Sequence, residues 1–180
     1  MVNSYVINDC TVIVFHDGKK IVVSEDTIFI IDKSILKILF SEEHELLGDA
    51  EYLFSYLDYL DSEKENRNAI VLDTLYEQVK TSLQDKQESY RYFQGHCQSS
   101  KKFIGKQTPD DKAELLALVN HLIKTYPSVF LVSEEYYLDE KFIHQMPVRS
   151  TIVSLTELKE ILSSIPNFYK FISSLFESSA

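Results

Sequence analysis

The chain has 180 residues, a hydrophobic fraction of 44% and a formal net charge of -10, which fits one globular domain with its own core. The negative balance argues against nucleic acid and membrane surfaces as partners, because both repel an acidic protein. We therefore expect a partner with a basic protein surface. Because no secretory leader or membrane-length apolar run is visible, a cytoplasmic location is predicted.

Four segments rich in Val, Ile, Phe and Tyr open the chain, and each predicts a β-strand. They cover residues 4–7, 11–15, 20–24 and 27–31. The dipeptide Asp17-Gly18 predicts a type I′ turn that pairs 12–15 with 20–23, because both central positions of that turn require positive φ. The opening 32 residues therefore predict an antiparallel meander of three or four strands.

From Lys33 the apolar period changes to that of a helix, and five to six helices are predicted in the rest of the chain. Thr108 predicts the cap of one helix, and Ser154 with Glu157 forms a capping-box pattern that begins another. Further helices are predicted near residues 33, 49, 72 and 167, and short strands near 128–132 and 151–153. The predicted fold class is α+β: an N-terminal antiparallel β-meander, about 4–32, packed with a mainly helical remainder.

A single domain over 1–180 is favoured, because each half of the chain has only a modest apolar inventory. A subdivision into 1–93, the meander plus helices, and 108–180, helical with short strands, is the alternative. Between them, the stretch 94–107 carries three lysines and two of the four glycines. That composition predicts a mobile basic loop.

Few residues suggest chemistry. His96 precedes Cys97, but neighbours on an extended segment point in opposite directions, which disfavours a thiol–imidazole pair. Cys10 and Cys97 lack metal-ligand spacing, and the sequence leaves open whether they pair. Glu140 and His144, at i and i+4, would share a helix face and make a metal site conceivable. No catalytic or cofactor motif is present, so no catalytic residue, resident metal or cofactor is predicted.

The acidic segment, residues 42–65, is the strongest functional indication. It contains nine Asp or Glu residues against Lys64 alone, while Leu53, Phe54 and Leu57 recur at helical spacing. A helix there would bury the apolar stripe and present carboxylates interleaved with tyrosines to a partner. The predicted partner-binding residues are Glu42, Glu43, Glu45, Glu51, Tyr52, Tyr56, Asp58 and Tyr59.

These patterns favour a small acidic protein-binding module of phage or bacterial type, such as an inhibitor, an immunity-type protein or an adaptor. One alternative is a metal-dependent enzyme with a site near Glu140 and His144. Another is a homo-oligomeric structural or assembly protein, for instance a homodimer. That alternative draws on the 11 Tyr and 11 Phe, which would serve a subunit interface.

Overall fold

A computed structural model describes residues 3–7, 10–14, 20–23, 27–35, 69–85, 87–105 and 110–163. The opening part of these ranges forms a three-stranded antiparallel sheet of order β1-β2-β3. Its strands are β1 (Asn3–Ile7), β2 (Cys10–Val14) and β3 (Lys20–Val23). β2 pairs with β3 in antiparallel fashion, as expected, but Val12 lies opposite Val22 rather than Val23. The register is therefore one residue away from the one that a two-residue turn at Asp17-Gly18 requires, and the turn itself lies outside the described residues.

A five-stranded parallel sheet of order β6-β5-β4-β7-β8 forms the centre of the molecule. Its strands are β4 (Ile28–Ile31), β5 (Ala69–Val71), β6 (Cys97–Ser99), β7 (Val129–Val132) and β8 (Ser150–Val153). From β4 the chain adds β5 and then β6 on one side, and afterwards β7 and β8 on the other. The strand order therefore reverses between β4 and β7, as in doubly wound α/β folds.

Helices connect the parallel strands. They are α1 (Asp73–Leu83), α2 (Gln87–His96), α3 (Asp111–Leu122), α4 (Glu140–Gln145) and α5 (Leu155–Ser163). Residues 33–35 are also helical, and a 3-10 turn covers Ser100–Lys102. In the described ranges, no helix combines the length and the apolar character that crossing a bilayer requires.

The parallel sheet separates two apolar cores, because successive side chains of a strand point to opposite faces. On β4, Ile28 and Ile30 belong to one core, which also contains buried residues of α3 and α4. Phe29 and Ile31 belong to the other, together with buried residues of α1, α2, α5, β2 and β3. Both faces of the sheet are thus covered, which is the usual condition of a parallel sheet.

The predicted fold class, an α+β meander packed on helices, is wrong. Residues 28–31 do not continue the antiparallel sheet but form the central parallel strand, with β5 and β7 as neighbours. All four residues of β4 are buried, whereas burial alternates along β2 and β3. An uninterrupted apolar strand is typical of a parallel sheet, and alternation is typical of an antiparallel sheet with one exposed face.

Three local predictions have different outcomes. In the stretch 94–107, predicted as a loop, residues 97–99 form strand β6. The cap of α3 is Asp110 rather than Thr108, since its carboxylate accepts a hydrogen bond from the Lys112 backbone N–H at 3.0 Å. The capping box is confirmed by two reciprocal hydrogen bonds. The Glu157 backbone N–H donates to the Ser154 hydroxyl at 3.1 Å, and the Ser154 backbone N–H donates to the Glu157 carboxylate at 3.4 Å. The helices predicted near 49 and 167 lie outside the described residues.

Candidate functional site

A buried hydrogen-bond network joins the carboxyl ends of β4 and β7, the strands between which the order reverses. Asp32 follows β4 directly and is only 5% exposed. Its Oδ1 accepts hydrogen bonds from the Ser34 backbone N–H at 2.8 Å and from the Ser34 hydroxyl at 2.5 Å. Its Oδ2 accepts from the Ser133 hydroxyl at 2.5 Å. Because hydrogen bonds to carboxylates are stronger than those between neutral groups, Asp32 ties the two strand ends firmly together.

Ser133 extends this network into the segment that follows β7. Its Oγ accepts hydrogen bonds from the backbone N–H of Glu135 at 3.1 Å and of Tyr136 at 2.9 Å. On the β4 side, the Ser34 hydroxyl accepts from the Glu134 backbone N–H at 2.9 Å. These contacts fix the path of the chain as it leaves β7. They therefore position Glu135 and Tyr136 relative to the end of β4.

A pocket of about 210 Å³ opens beside this network, at the carboxyl ends of β4, β5 and β7. We name it the switch-point pocket. Leucines from the end of β5, from α1 and from α3 supply its apolar lining. Its polar lining includes Asp32, Lys33, Thr74, Asp111, Glu135 and Tyr136. In doubly wound sheets, ligands bind in the crevice at the point where the strand order reverses, which is where this pocket lies.

The switch-point pocket is negatively charged. Three carboxylates reach it from separate parts of the chain, Asp32 after β4, Asp111 at the start of α3 and Glu135 after β7, against Lys33 alone. Asp111 and Glu135 are exposed, and their side chains make no hydrogen bond or ion pair with other described residues. Their carboxylates are therefore available to a ligand, while that of Asp32 is used by the network. Such a lining attracts cations.

Tyr136 adds a hydrogen-bond donor to the pocket. It is 8% exposed, and its ring stacks on that of Phe142 with 4.7 Å between the centroids. Burial first, and then the charges of nearby carboxylates led by Glu135, raise the pKa of Tyr136 to about 12. The phenol therefore stays protonated at neutral pH and can donate a hydrogen bond to a ligand oxygen.

The residues singled out from the sequence do not meet at this pocket. All eight partner-binding residues of the acidic segment lie outside the described residues. Glu140 and His144 lie at the start and in the last turn of α4, but among the described residues no three His, Cys, Asp or Glu side chains are grouped to hold a metal ion. Cys10 and Cys97 are not joined in a disulfide, and Cys97 is buried.

Sequence reasoning missed the residues of the switch-point pocket. Asp32 comes directly after the apolar run IFII, and Glu135 lies three positions after the apolar run VFLV. Polar residues just beyond uninterrupted apolar strands are the signal that points to the carboxyl edge of a parallel sheet. Assigning residues 27–31 to an antiparallel meander hides this signal, because the end of an antiparallel strand carries no such expectation.

Comparisons of the chain with protein-family models, with curated proteins and with solved structures found no match. The geometry and charge of the pocket are therefore the basis on which its chemistry is inferred.

Proposed function

We propose that the protein binds a divalent cation of the Mg²⁺ type in the switch-point pocket and, through that cation, a small phosphate-bearing ligand. The supporting observation is that Asp32, Asp111 and Glu135, from three separate elements, line one pocket where the strand order reverses. They are not grouped closely enough to enclose an ion by themselves, so water and the ligand would complete its coordination. Carboxylate oxygens are the hard ligands that Mg²⁺ and Mn²⁺ prefer. A phosphate without a metal ion would be repelled by these carboxylates.

The bound cation would keep most of its water. Asp32 already accepts hydrogen bonds on both oxygens from Ser34 and Ser133, so Asp111 and Glu135 are the carboxylates that can approach the ion. Mg²⁺ commonly uses one or two protein carboxylates, several waters and the phosphate oxygens of a ligand. The corresponding reaction class is hydrolysis or transfer at phosphorus, in which the ion polarises a phosphoryl oxygen.

Titration with MnCl₂, followed by the electron paramagnetic resonance signal of the free ion, tests the metal site. We expect binding that Mg²⁺ displaces, and at least tenfold weaker binding in the double variant Asp111→Asn/Glu135→Gln, a loss of about 1.4 kcal/mol. Glu77→Gln is the matched control, because it removes an exposed carboxylate of α1 that does not line the pocket. Wild-type affinity in the double variant would show that the cation site lies elsewhere.

Calorimetric titration with adenosine monophosphate, with and without MgCl₂, tests the phosphate part of the proposal. We expect binding only when the metal is present, because the carboxylates repel the bare anion. Metal-independent binding, or none in either condition, contradicts that part. Spermidine serves as a third probe: if spermidine binds and Mn²⁺ does not, the pocket selects organic cations and the metal proposal is wrong.

The acidic segment favours a second function, docking of residues 42–65 on a basic protein surface. Nine acids and one base in this stretch account for most of the net charge of -10. Such a surface accelerates encounter with a basic partner and contributes specificity. Charge reversal at Glu51 and Asp58 to lysine should weaken partner capture from a host lysate and reduce its dependence on salt. Equal recovery with the reversed chain contradicts this docking function.

A cytoplasmic location is part of the same proposal. Cys10 and Cys97 form no disulfide, which suits a reducing compartment. Immunofluorescence or fractionation of the native host would test it, and recovery of the chain from an oxidising compartment would contradict it. The homo-oligomer and the metal site at Glu140 and His144 stay predictions from the sequence.

A further inference from the structure

A second pocket, of about 190 Å³, lies next to the switch-point pocket. It opens at the carboxyl ends of β5 and β6, and Thr74 lines both pockets. We name it the side pocket. Its lining includes Asp73, Thr74, Ser100, Lys101, Gly105 and Glu114. The carboxylates of the side pocket differ from those of the switch-point pocket, so the two can be tested separately.

Hydrogen bonds hold the walls of the side pocket and use the side chains of Asp73 and Ser100. The Asp73 backbone N–H donates to the Ser100 hydroxyl at 2.9 Å, and the Ser99 hydroxyl donates to Asp73 Oδ1 at 2.7 Å. The Ser99 hydroxyl in turn accepts from the Lys101 backbone N–H at 3.1 Å. These bonds connect the end of β6 to the start of α1. The walls are therefore preformed rather than assembled by a ligand.

Glu114 is the buried polar side chain of this pocket that lacks such a bond, whereas Thr74 and Lys101 are exposed to water. It lies in the first turn of α3 with only 8% of its surface exposed. No residue that the structure describes donates a hydrogen bond to its carboxylate or forms an ion pair with it. This includes Lys101, which lines the same pocket. A buried carboxylate without a partner is costly, because it loses its hydration and gains nothing in exchange. Such an orphaned group at a pocket marks a position where a ligand supplies the missing donors.

We propose that the side pocket binds a protonated amine or a guanidinium group of a small ligand, with the Glu114 carboxylate as counter-ion. A carboxylate accepts hydrogen bonds only, so its ligand must donate, and a cationic donor makes the stronger bond. A metal ion fits less well, because the other carboxylate of this pocket, Asp73, already accepts a hydrogen bond from Ser99 and leaves Glu114 as a single ligand. Ile104, which also lines the pocket, suits the carbon chain of an amine. This site does not depend on metal binding in the switch-point pocket.

Selective ¹⁵N-glycine labelling gives a direct assay, because the chain has only four glycines. Gly105 lines the side pocket, whereas Gly95 on α2 does not and serves as the internal control. The Gly105 signal is identified by its loss in Gly105→Ala, a tolerable change since an added Cβ meets nothing within 4 Å. The probes are n-butylammonium and methylguanidinium, with n-butanol as the uncharged control.

We expect butylammonium or methylguanidinium to move the Gly105 signal in a saturable way, while butanol does not and Gly95 stays unchanged. Glu114→Gln keeps the side-chain shape but removes the charge, and should weaken binding at least tenfold. Asp111→Asn/Glu135→Gln should leave the Gly105 response intact, which separates this proposal from metal binding next to it. No saturable movement in the wild-type chain, or an equal movement in Glu114→Gln, would overturn the assignment.

A stability measurement keeps the proposal testable without a ligand. Because an unpaired buried carboxylate destabilises the free chain, Glu114→Met should raise the urea midpoint and abolish stabilisation by butylammonium. A lower midpoint in Glu114→Met would show that Glu114 already has a stabilising partner inside the protein, and would overturn the assignment as well.

Discussion

Replacing Asp32 by alanine should be the most damaging polar substitution in the described part of the chain. The carboxylate is 5% exposed and accepts hydrogen bonds from the Ser34 N–H, the Ser34 hydroxyl and the Ser133 hydroxyl. Hydrogen bonds to a charged acceptor contribute about 1.5–3 kcal/mol each, and entry of water into the vacated space offsets part of the loss. We therefore expect Asp32→Ala to lower the free energy of unfolding by about 3–5 kcal/mol.

Asp32→Asn should be milder, at about 1–2 kcal/mol, because the amide oxygen can still accept from Ser34. Its NH₂ group would have to donate to Ser133, whose oxygen already accepts from Glu135 and Tyr136. Combining Asp32→Asn with Ser133→Ala should give less than the sum of the single effects, with a coupling of about 1 kcal/mol, because both remove the same bond.

The assay is urea denaturation at neutral pH followed by far-ultraviolet circular dichroism, with Asp111→Ala as the matched control. Asp111 belongs to the same pocket but is exposed, so its loss should cost less than about 1 kcal/mol, mainly through the dipole of α3. A loss below about 1 kcal/mol for Asp32→Ala would refute the claim that this carboxylate joins β4 to β7. So would an effect of Asp111→Ala equal to that of Asp32→Ala.

Three further predictions concern other described residues. The pKa of Tyr136 is about 12 in the folded chain and 10.0 in a free tyrosine, so the folded state holds the phenolic proton more tightly. The free energy of unfolding should therefore fall as the pH rises between these values, by at most about 1.4 kcal/mol per pH unit. In urea denaturation above about pH 9, Tyr136→Phe should remove this part of the pH dependence. The pKa of Asp139 is lowered mainly by the hydrogen bond from the Phe142 backbone N–H and next by that from the Lys112 side chain. The stabilising effect of the ionised carboxylate is therefore present above about pH 3.8 and is lost as the pH falls through the lowered pKa. In a carboxyl NMR titration, Lys112→Ala should raise this pKa only in part, and a full return to the usual value would contradict the order of causes. Phe130 is 1% exposed, so Phe130→Ala should cost about 3–5 kcal/mol by urea denaturation, and a loss under about 1 kcal/mol would place it outside the core.

Elements that depend on near neighbours were predictable from the sequence. The antiparallel pairing of β2 with β3 was expected from Asp17-Gly18, although its register differs by one residue from that of a two-residue turn. The start of α5 follows the capping box of Ser154 and Glu157, in which the two residues bond to one another's backbone. In both cases the determining contacts lie within a few positions along the chain, so a sequence pattern predicts that the element forms, even where it misses the exact register.

Strand order was not predictable in the same way. β5 and β6 have three residues each, which is too short for a period of two to be recognised. β4 pairs with β7, and the register joins Phe29 to Phe130 across most of the chain. A local pattern cannot choose between that partner and the nearby β3. The local sign in the sequence was the uninterrupted apolar run of β4. In an antiparallel strand with one exposed face, apolar and polar residues would have alternated.

The candidate site was equally hard to predict, because the strand order is what brings its residues together. Asp111 and Glu135 are two of 28 acidic residues, and nothing in their sequence neighbourhood distinguishes them from the rest. Charge density instead directs attention to the acidic segment at 42–65, where carboxylates are close in sequence. Proximity in sequence raises the local potential, but a ligand pocket needs carboxylates that converge from separate elements on a fixed scaffold. Asp32 supplies that scaffold by joining β4 to β7. Loss of Mn²⁺ binding in Ser133→Ala, which removes the bond to Asp32 but keeps all three carboxylates, would therefore show that the pocket depends on this join and not on charge alone.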